Sequence, residues 1–192
     1  MTGFSTELDV RWDRKTGDWV LLADLVWTGL DGDVVRVPKG FHTDFASTPR
    51  ILQSLFPPTG AWTKAAVVHD WLCVALNDYH RQRYLWRCSL ETVRESGDES
   101  FRLPRPTPPK FSAVDADNVF RLIMLEEGTP DFSAQFGWVG VRWGAAANRA
   151  RHAGVLSTLP EVLLFSAAYL LIALCAVALV AGLGVLAIGA AR

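Results

Sequence analysis

The stretch VPKGFHTDFASTPR, residues 37–50, is where the periodicity of the chain changes. Upstream of it the pattern is that of strands. Residues 8–12 (LDVRW) alternate apolar with polar, RKTGD supplies a glycine-containing turn, residues 19–27 (WVLLADLVW) form an apolar run, GLDGD is a second turn, and residues 34–38 (VVRVP) read as a third strand. These predict a small antiparallel meander. Downstream the spacing becomes helical. Thr48-Pro49 has the form of an N-cap followed by proline at the first helical position, opening a short helix that runs through Phe56 and ends at Pro57-Pro58.

Thr63 is the expected cap of a helix TKAAVVHDWLCVALND, apolar at nearly every position from Ala65 to Leu76 and so buried on most sides. The arginine-rich stretch from Tyr79 to Arg94 reads as an exposed helix. Four prolines within residues 104–109 then forbid regular structure. Ser112, with Asp115 three residues on, predicts a capping box for a helix AVDADNVFRLIMLEE that Gly128 stops. Ala113, Asp117, Phe120 and Met124 recur at helical spacing, so Asp117 shares the apolar face while Asp115 points elsewhere. A further amphipathic stretch, FGWVGVRWGAAANRARHAG, follows. There is no internal repeat.

The chain has 192 residues, 19 Lys+Arg against 20 Asp+Glu, and a formal net charge of −1. That balance excludes a basic nucleic-acid binder as the whole molecule. A hydrophobic fraction of 50% and a mean hydropathy of +0.17 are high for a water-exposed domain, and the excess lies at the end. Residues 162–191 contain no Asp, Glu, Lys, Arg or His. As one helix they would reach about 45 Å, against a bilayer core of about 30 Å. The expectation is therefore a soluble domain over 1–155 and a C-terminal membrane anchor over 156–192, spanning at 162–191. The N-terminus has no apolar signal segment. Arg142, Arg149 and Arg151 before the span against Arg192 after it place the domain in the cytoplasm. Ala178 and Gly182, four apart, could allow self-association through the anchor. Cys73, Cys88 and Cys175 form no C-x-x-C pair, as expected of reduced thiols.

Helix burial makes a few polar residues conspicuous. His69 and Asp70 interrupt an apolar helix, Asp117 sits on an apolar face, and His42, Asp44 and Ser47 lie in the loop after the third strand. Such groups cannot be buried without partners, since an unpaired one costs several kcal/mol. Two readings stay open. Carboxylates and imidazoles on inward faces are what a divalent metal site or an acid/base site needs, with His69, Asp70 and Asp117 as candidate ligands and Asp44, His69, Asp70 and Asp117 as candidate catalytic groups. Alternatively the same side chains form a hydrogen-bond network with the GFHTDFAS backbone and do no chemistry. His42-x-Asp44 by itself is a common turn. Cys73 lies one turn from His69, but mid-helix among apolar residues it reads as structural. Ser47 lacks a nucleophile elbow. No phosphate-binding glycine loop and no aromatic-basic ribbon occurs, so no nucleic acid is expected as a partner.

VPKGFHTDFASTPR, AAVVHDWL and the A-D-x-x-F of residues 116–120 together resemble, in order, the signatures of domain-of-unknown-function family 1353, found in bacteriophages and prophages. The resemblance covers about residues 30–145, with the stretch at about 79–110 resembling an insertion. Carried over by position, the motif residues are Gly40, Phe41, Thr43, Asp44, Ala46, Ser47, Pro49, Arg50, His69, Asp70, Leu72, Asp117, Phe120 and Met124. Among these Gly40, Thr43, Ser47, Pro49 and Arg50 stand as structural motif positions. His42 falls on a variable position, and Cys73 stands where the family pattern has tyrosine.

The resulting expectation is an α+β fold, a small N-terminal antiparallel β-meander packed against a few helices, plus a C-terminal transmembrane helix. The function it implies is a phage- or prophage-encoded, tail-anchored accessory protein in the host membrane, single-pass with its domain cytoplasmic, serving binding, assembly or lysis. Its partners would be the lipid bilayer and other phage proteins. The alternative is a metal-dependent hydrolase using Asp44, His69, Asp70 and Asp117 around a divalent metal.

Overall fold

A computed structural model describes residues 2–45, 60, 62–153, 163, 166, 167, 170 and 171. The chain divides into two compact units, Met1–Thr129 and Pro130–Arg192. The first holds six short strands: β1 Gly3–Phe4, β2 Val10–Asp13, β3 Asp18–Leu21, β4 Leu25–Thr28, β5 Val34–Val37 and β6 His42–Thr43. It also holds two helices, α1 Thr63–Ser96 and α2 Ala113–Glu126. Helix α3, Asp131–Ala153, belongs to the second unit.

The strands do not form one meander. They make two three-stranded antiparallel sheets, ordered β1-β4-β5 and β2-β3-β6. The apolar run expected as a single strand over 19–27 is cut after Leu21, and its two halves enter different sheets. Asp24 accounts for the break. Its carboxylate accepts the Lys39 backbone N–H at 2.8 Å and the Arg36 guanidinium at 3.0 Å, and these bonds hold a corner that an uninterrupted strand could not form. At the end of β3, Leu21 is bonded to the segment that leads into β6, donating its N–H to the Phe41 carbonyl and accepting that of Gly40. Gly40 adopts φ +85°, a conformation that favours glycine.

Helix α1 runs without interruption through both the apolar and the arginine-rich stretches, 34 residues in all. Its N-cap is Trp62 and not Thr63, whose hydroxyl instead closes a turn with the N–H and carbonyl of Gly60. It ends at Gly97, in the left-handed conformation, whose N–H bonds to the Val93 carbonyl. Helix α2 opens on the expected capping box of Ser112 and Asp115. Ala65, Ala66, Val67, Val68 and Leu72 of α1, Ala116, Phe120, Ile123 and Met124 of α2, and Leu21, Leu25, Trp27 and Val37 from the strands are buried. Trp27 also donates its indole N–H to Glu126 at 2.8 Å, tying β4 to the end of α2.

The expected transmembrane helix is overturned. Among the described residues no helix is long and apolar enough to cross a membrane. Helices α1 and α3 have the length, 34 and 23 residues, but not the composition. Lys64, Asp70 and a series of arginines lie on the first, and Asp131, Arg142, Arg149 and Arg151 on the second, charges that hydrocarbon does not accommodate. Of residues 162–191 only 163, 166, 167, 170 and 171 are described, all helical, and the rest of that expected span, with Ala178 and Gly182, lies outside the described residues. The single-pass host-membrane localisation with a cytoplasmic domain falls with the span. The short helix expected from Thr48 to Phe56 also lies outside the described residues.

Candidate functional site

His69 and Asp70 are consecutive on α1, so their side chains leave the helix about 100° apart and meet different neighbours. His69 turns to α2. Its Nε2 lies 2.8 Å from Asp117 Oδ1, across 48 residues of sequence, and the pair is nearly closed to solvent, with 14% and 3% of the side chains exposed. The Phe120 ring, one turn beyond Asp117, packs 5.4 Å from the imidazole. Asp70 turns to the end of β6, where it accepts the Thr43 hydroxyl proton at 2.6 Å. Thr43 is buried, and the same oxygen accepts the Phe45 backbone N–H at 3.0 Å.

That second bond holds an unusual backbone. Phe45 has φ +67°, which a residue with a Cβ rarely adopts and which costs about 1 kcal/mol or more. Its ring is buried 5.4 Å from Trp19, which stands in turn 5.4 Å from Trp12. Burial of the ring and the Thr43 bond together offset the strain.

The charges follow from these contacts. Burial disfavours the charged imidazolium, but the Asp117 carboxylate outweighs it, with Cys73 adding in the same sense, and His69 is pushed up to about 10. His69 is therefore an imidazolium at neutral pH, its Nε2 proton donated to Asp117. Burial raises Asp70 to about 6; the Thr43 bond opposes this, the neighbouring Asp44 charge adds to it, and His69 opposes it. Asp44 itself is exposed on the loop. The Cys73 sulfur lies 3.9 Å from Nδ1 and 3.7 Å from Nε2 of His69. Being almost equidistant from both nitrogens, it is in line with neither, which is not the arrangement of a thiol and its base.

Three of the four candidates thus enter two contacts, His69 with Asp117 sealing α1 to α2 and Asp70 with Thr43 fastening α1 to β6, while Asp44 bears on Asp70 through its charge. His42 is elsewhere. It sits on β6 with its ring 3.8 Å from Asp18 on the neighbouring strand. Of the structural motif positions, Gly40 and Thr43 are placed as described, while Ser47, Pro49 and Arg50 lie outside the described residues. Among the described residues no group of three or more His, Cys, Asp or Glu could hold a metal ion. An imidazolium has no free lone pair, so a metal at His69 would first have to displace the proton shared with Asp117.

A family model described as "Protein of unknown function (DUF1353)" matches residues 19–141, more than half of the chain. The chain belongs to that family. The DUF1353 match spans the loop, His69, Asp70 and Asp117 alike. No curated protein and no solved structure matches the chain.

Sequence reasoning grouped Thr43 with structural positions and did not pair it with Asp70. It missed two further ties. One is the Trp27–Glu126 bond. The other is Lys64, which lies 3.4 Å from Glu7 and 3.3 Å from Glu127 while sitting over the Phe4 ring at 5.0 Å. A buried indole N–H announces that an acceptor is needed, but nothing local says which.

Proposed function

We propose that this DUF1353 protein is a phage- or prophage-encoded binding or assembly module whose polar core locks the β6 loop onto α1 and α2. The observation that carries this reading is the His69–Asp117 ion pair. A catalytic imidazole near neutral pH exchanges its proton readily, whereas this one is held by a carboxylate with 3% of its side chain exposed. The motifs at 37–50, 65–72 and 116–120 support the phage association. Other phage proteins are the partners this reading implies.

A second reading, a metal-dependent hydrolase, draws on one specific observation: Asp70, raised to about 6, is close to the range in which a carboxylate serves as general base. Metal titration separates the two. Thermal unfolding of the full chain with Mg²⁺, Mn²⁺ or Zn²⁺, alongside analysis of bound metal, should show neither stabilisation nor stoichiometric metal. One bound metal per chain that Asp70→Asn abolishes while the fold persists would overturn the module reading in favour of the hydrolase.

A further inference from the structure

The second half of α1 carries a different chemistry from the polar core. Tyr79, Arg83 and Trp86 follow one another at steps of four and three, so they share one face of the helix. Opposite them lie Arg105 and Pro106 of the proline-rich segment, and the five residues line a cleft of about 90 Å³. The Arg105 guanidinium stacks on the Trp86 ring, 5.4 Å from its centroid.

Ser89 builds this arrangement. Its buried hydroxyl donates to the Trp86 carbonyl at 2.7 Å and accepts the Leu103 backbone N–H at 3.2 Å, which pins the proline segment against the helix two residues before Arg105. Arg105 is thereby held over an aromatic floor. A stacked guanidinium still presents its N–H edge, and that edge matches the oxygens of phosphate.

The charge balance points the same way. From Tyr79 to Leu90 there are three arginines, Arg81, Arg83 and Arg87, and no Asp or Glu. Asp78 and Glu91 flank the stretch. The ion pairs Arg36–Asp24, His42–Asp18, Lys64 with Glu7 and Glu127, His69–Asp117 and Arg102–Glu99 leave Arg83 and Arg105 unused. The two guanidiniums at the cleft therefore retain their donors for a ligand.

We propose that the Tyr79–Arg83–Trp86–Arg105 cleft binds the phosphate group of a small phosphorylated ligand. Arg83 and Arg105 supply the charge and the hydrogen bonds, and Tyr79 supplies an aromatic wall. This site is separate from the polar core and stands whether or not that core is catalytic.

Calorimetric titration of the full chain at low ionic strength tests it, with inorganic phosphate and with adenosine monophosphate as probes. The expected result is saturable one-to-one binding, weakened about tenfold or more in Arg83→Ala and in Arg105→Ala, and within about twofold of the parent in Arg11→Ala, a surface arginine on β2. Tighter binding of the nucleotide than of phosphate assigns a ring-bearing ester to the cleft. Equal binding assigns the phosphate alone. Unchanged thermal unfolding of the arginine variants shows that the fold is intact. No saturable binding, an equal loss in Arg11→Ala, acetate binding as well as phosphate, or binding of a single-stranded oligonucleotide without either small probe would each overturn the proposal.

Discussion

The two halves of α1 show how one continuous helix serves two environments. From Thr63 to Leu72 it is packed on several sides, and its charged residues are matched to specific partners: Lys64 to two glutamates, His69 to Asp117, Asp70 to Thr43. From Tyr79 onward the arginines stand exposed, and Tyr84 and Leu85 are exposed with them, at 66% and 45%. The helix is equally regular in both. A polar side chain in the first half is constrained by the cost of leaving it unpaired, whereas in the second half water satisfies it and selection can act on recognition.

Three changes would break or sharpen that contrast. Asp117→Asn has the largest expected effect. It leaves a buried imidazolium without its counter-charge, and breaking such a pair costs about 3–5 kcal/mol. The same variant changes the pH dependence. Because the folded chain holds the His69 proton more tightly than the unfolded chain, the stability from this pair is full below about pH 6.5 and lost as pH rises through about 10. Denaturant unfolding between those limits should show parental stability falling with pH, and that slope should flatten in Asp117→Asn. An unchanged slope would mean that the pair is not what holds the proton.

Thr43→Val comes next. It removes the donor to Asp70 and the acceptor for the strained Phe45 N–H, for a loss of about 1–3 kcal/mol at neutral pH. Asp70 has a folded value raised from 3.8 to about 6, so its own contribution is full below about pH 3.8 and lost as pH rises through about 6. The Thr43→Val deficit should therefore shrink toward pH 4, where the carboxyl is uncharged. A deficit that is the same at pH 4 and 7 would assign the loss to Phe45 alone. Arg83→Ala has the smallest expected effect, within about 0.5 kcal/mol, since its side chain is exposed and makes no ion pair among the described residues. A loss of several kcal/mol there would show that the second half of α1 is structural too.

What the sequence by itself determined is what depends on near neighbours. The strand pattern before residue 38, the capping box of Ser112 and Asp115, the inward face of Asp117 and the need of His69 and Asp70 for partners all follow from period, propensity and the cost of burying polar atoms. Family membership was legible for a related reason, since its signatures are short ordered strings. Only the tertiary structure decided that the run at 19–27 splits between two sheets, that His69 takes Asp117 while Asp70 takes Thr43, and that Arg105 lies over Trp86. Those choices join residues 19 to 48 positions apart or turn on a corner at Asp24 held by Arg36 and Lys39. A hydrogen bond has no sequence period, so which of several acceptors a buried donor finds is settled only when the elements that carry them are packed.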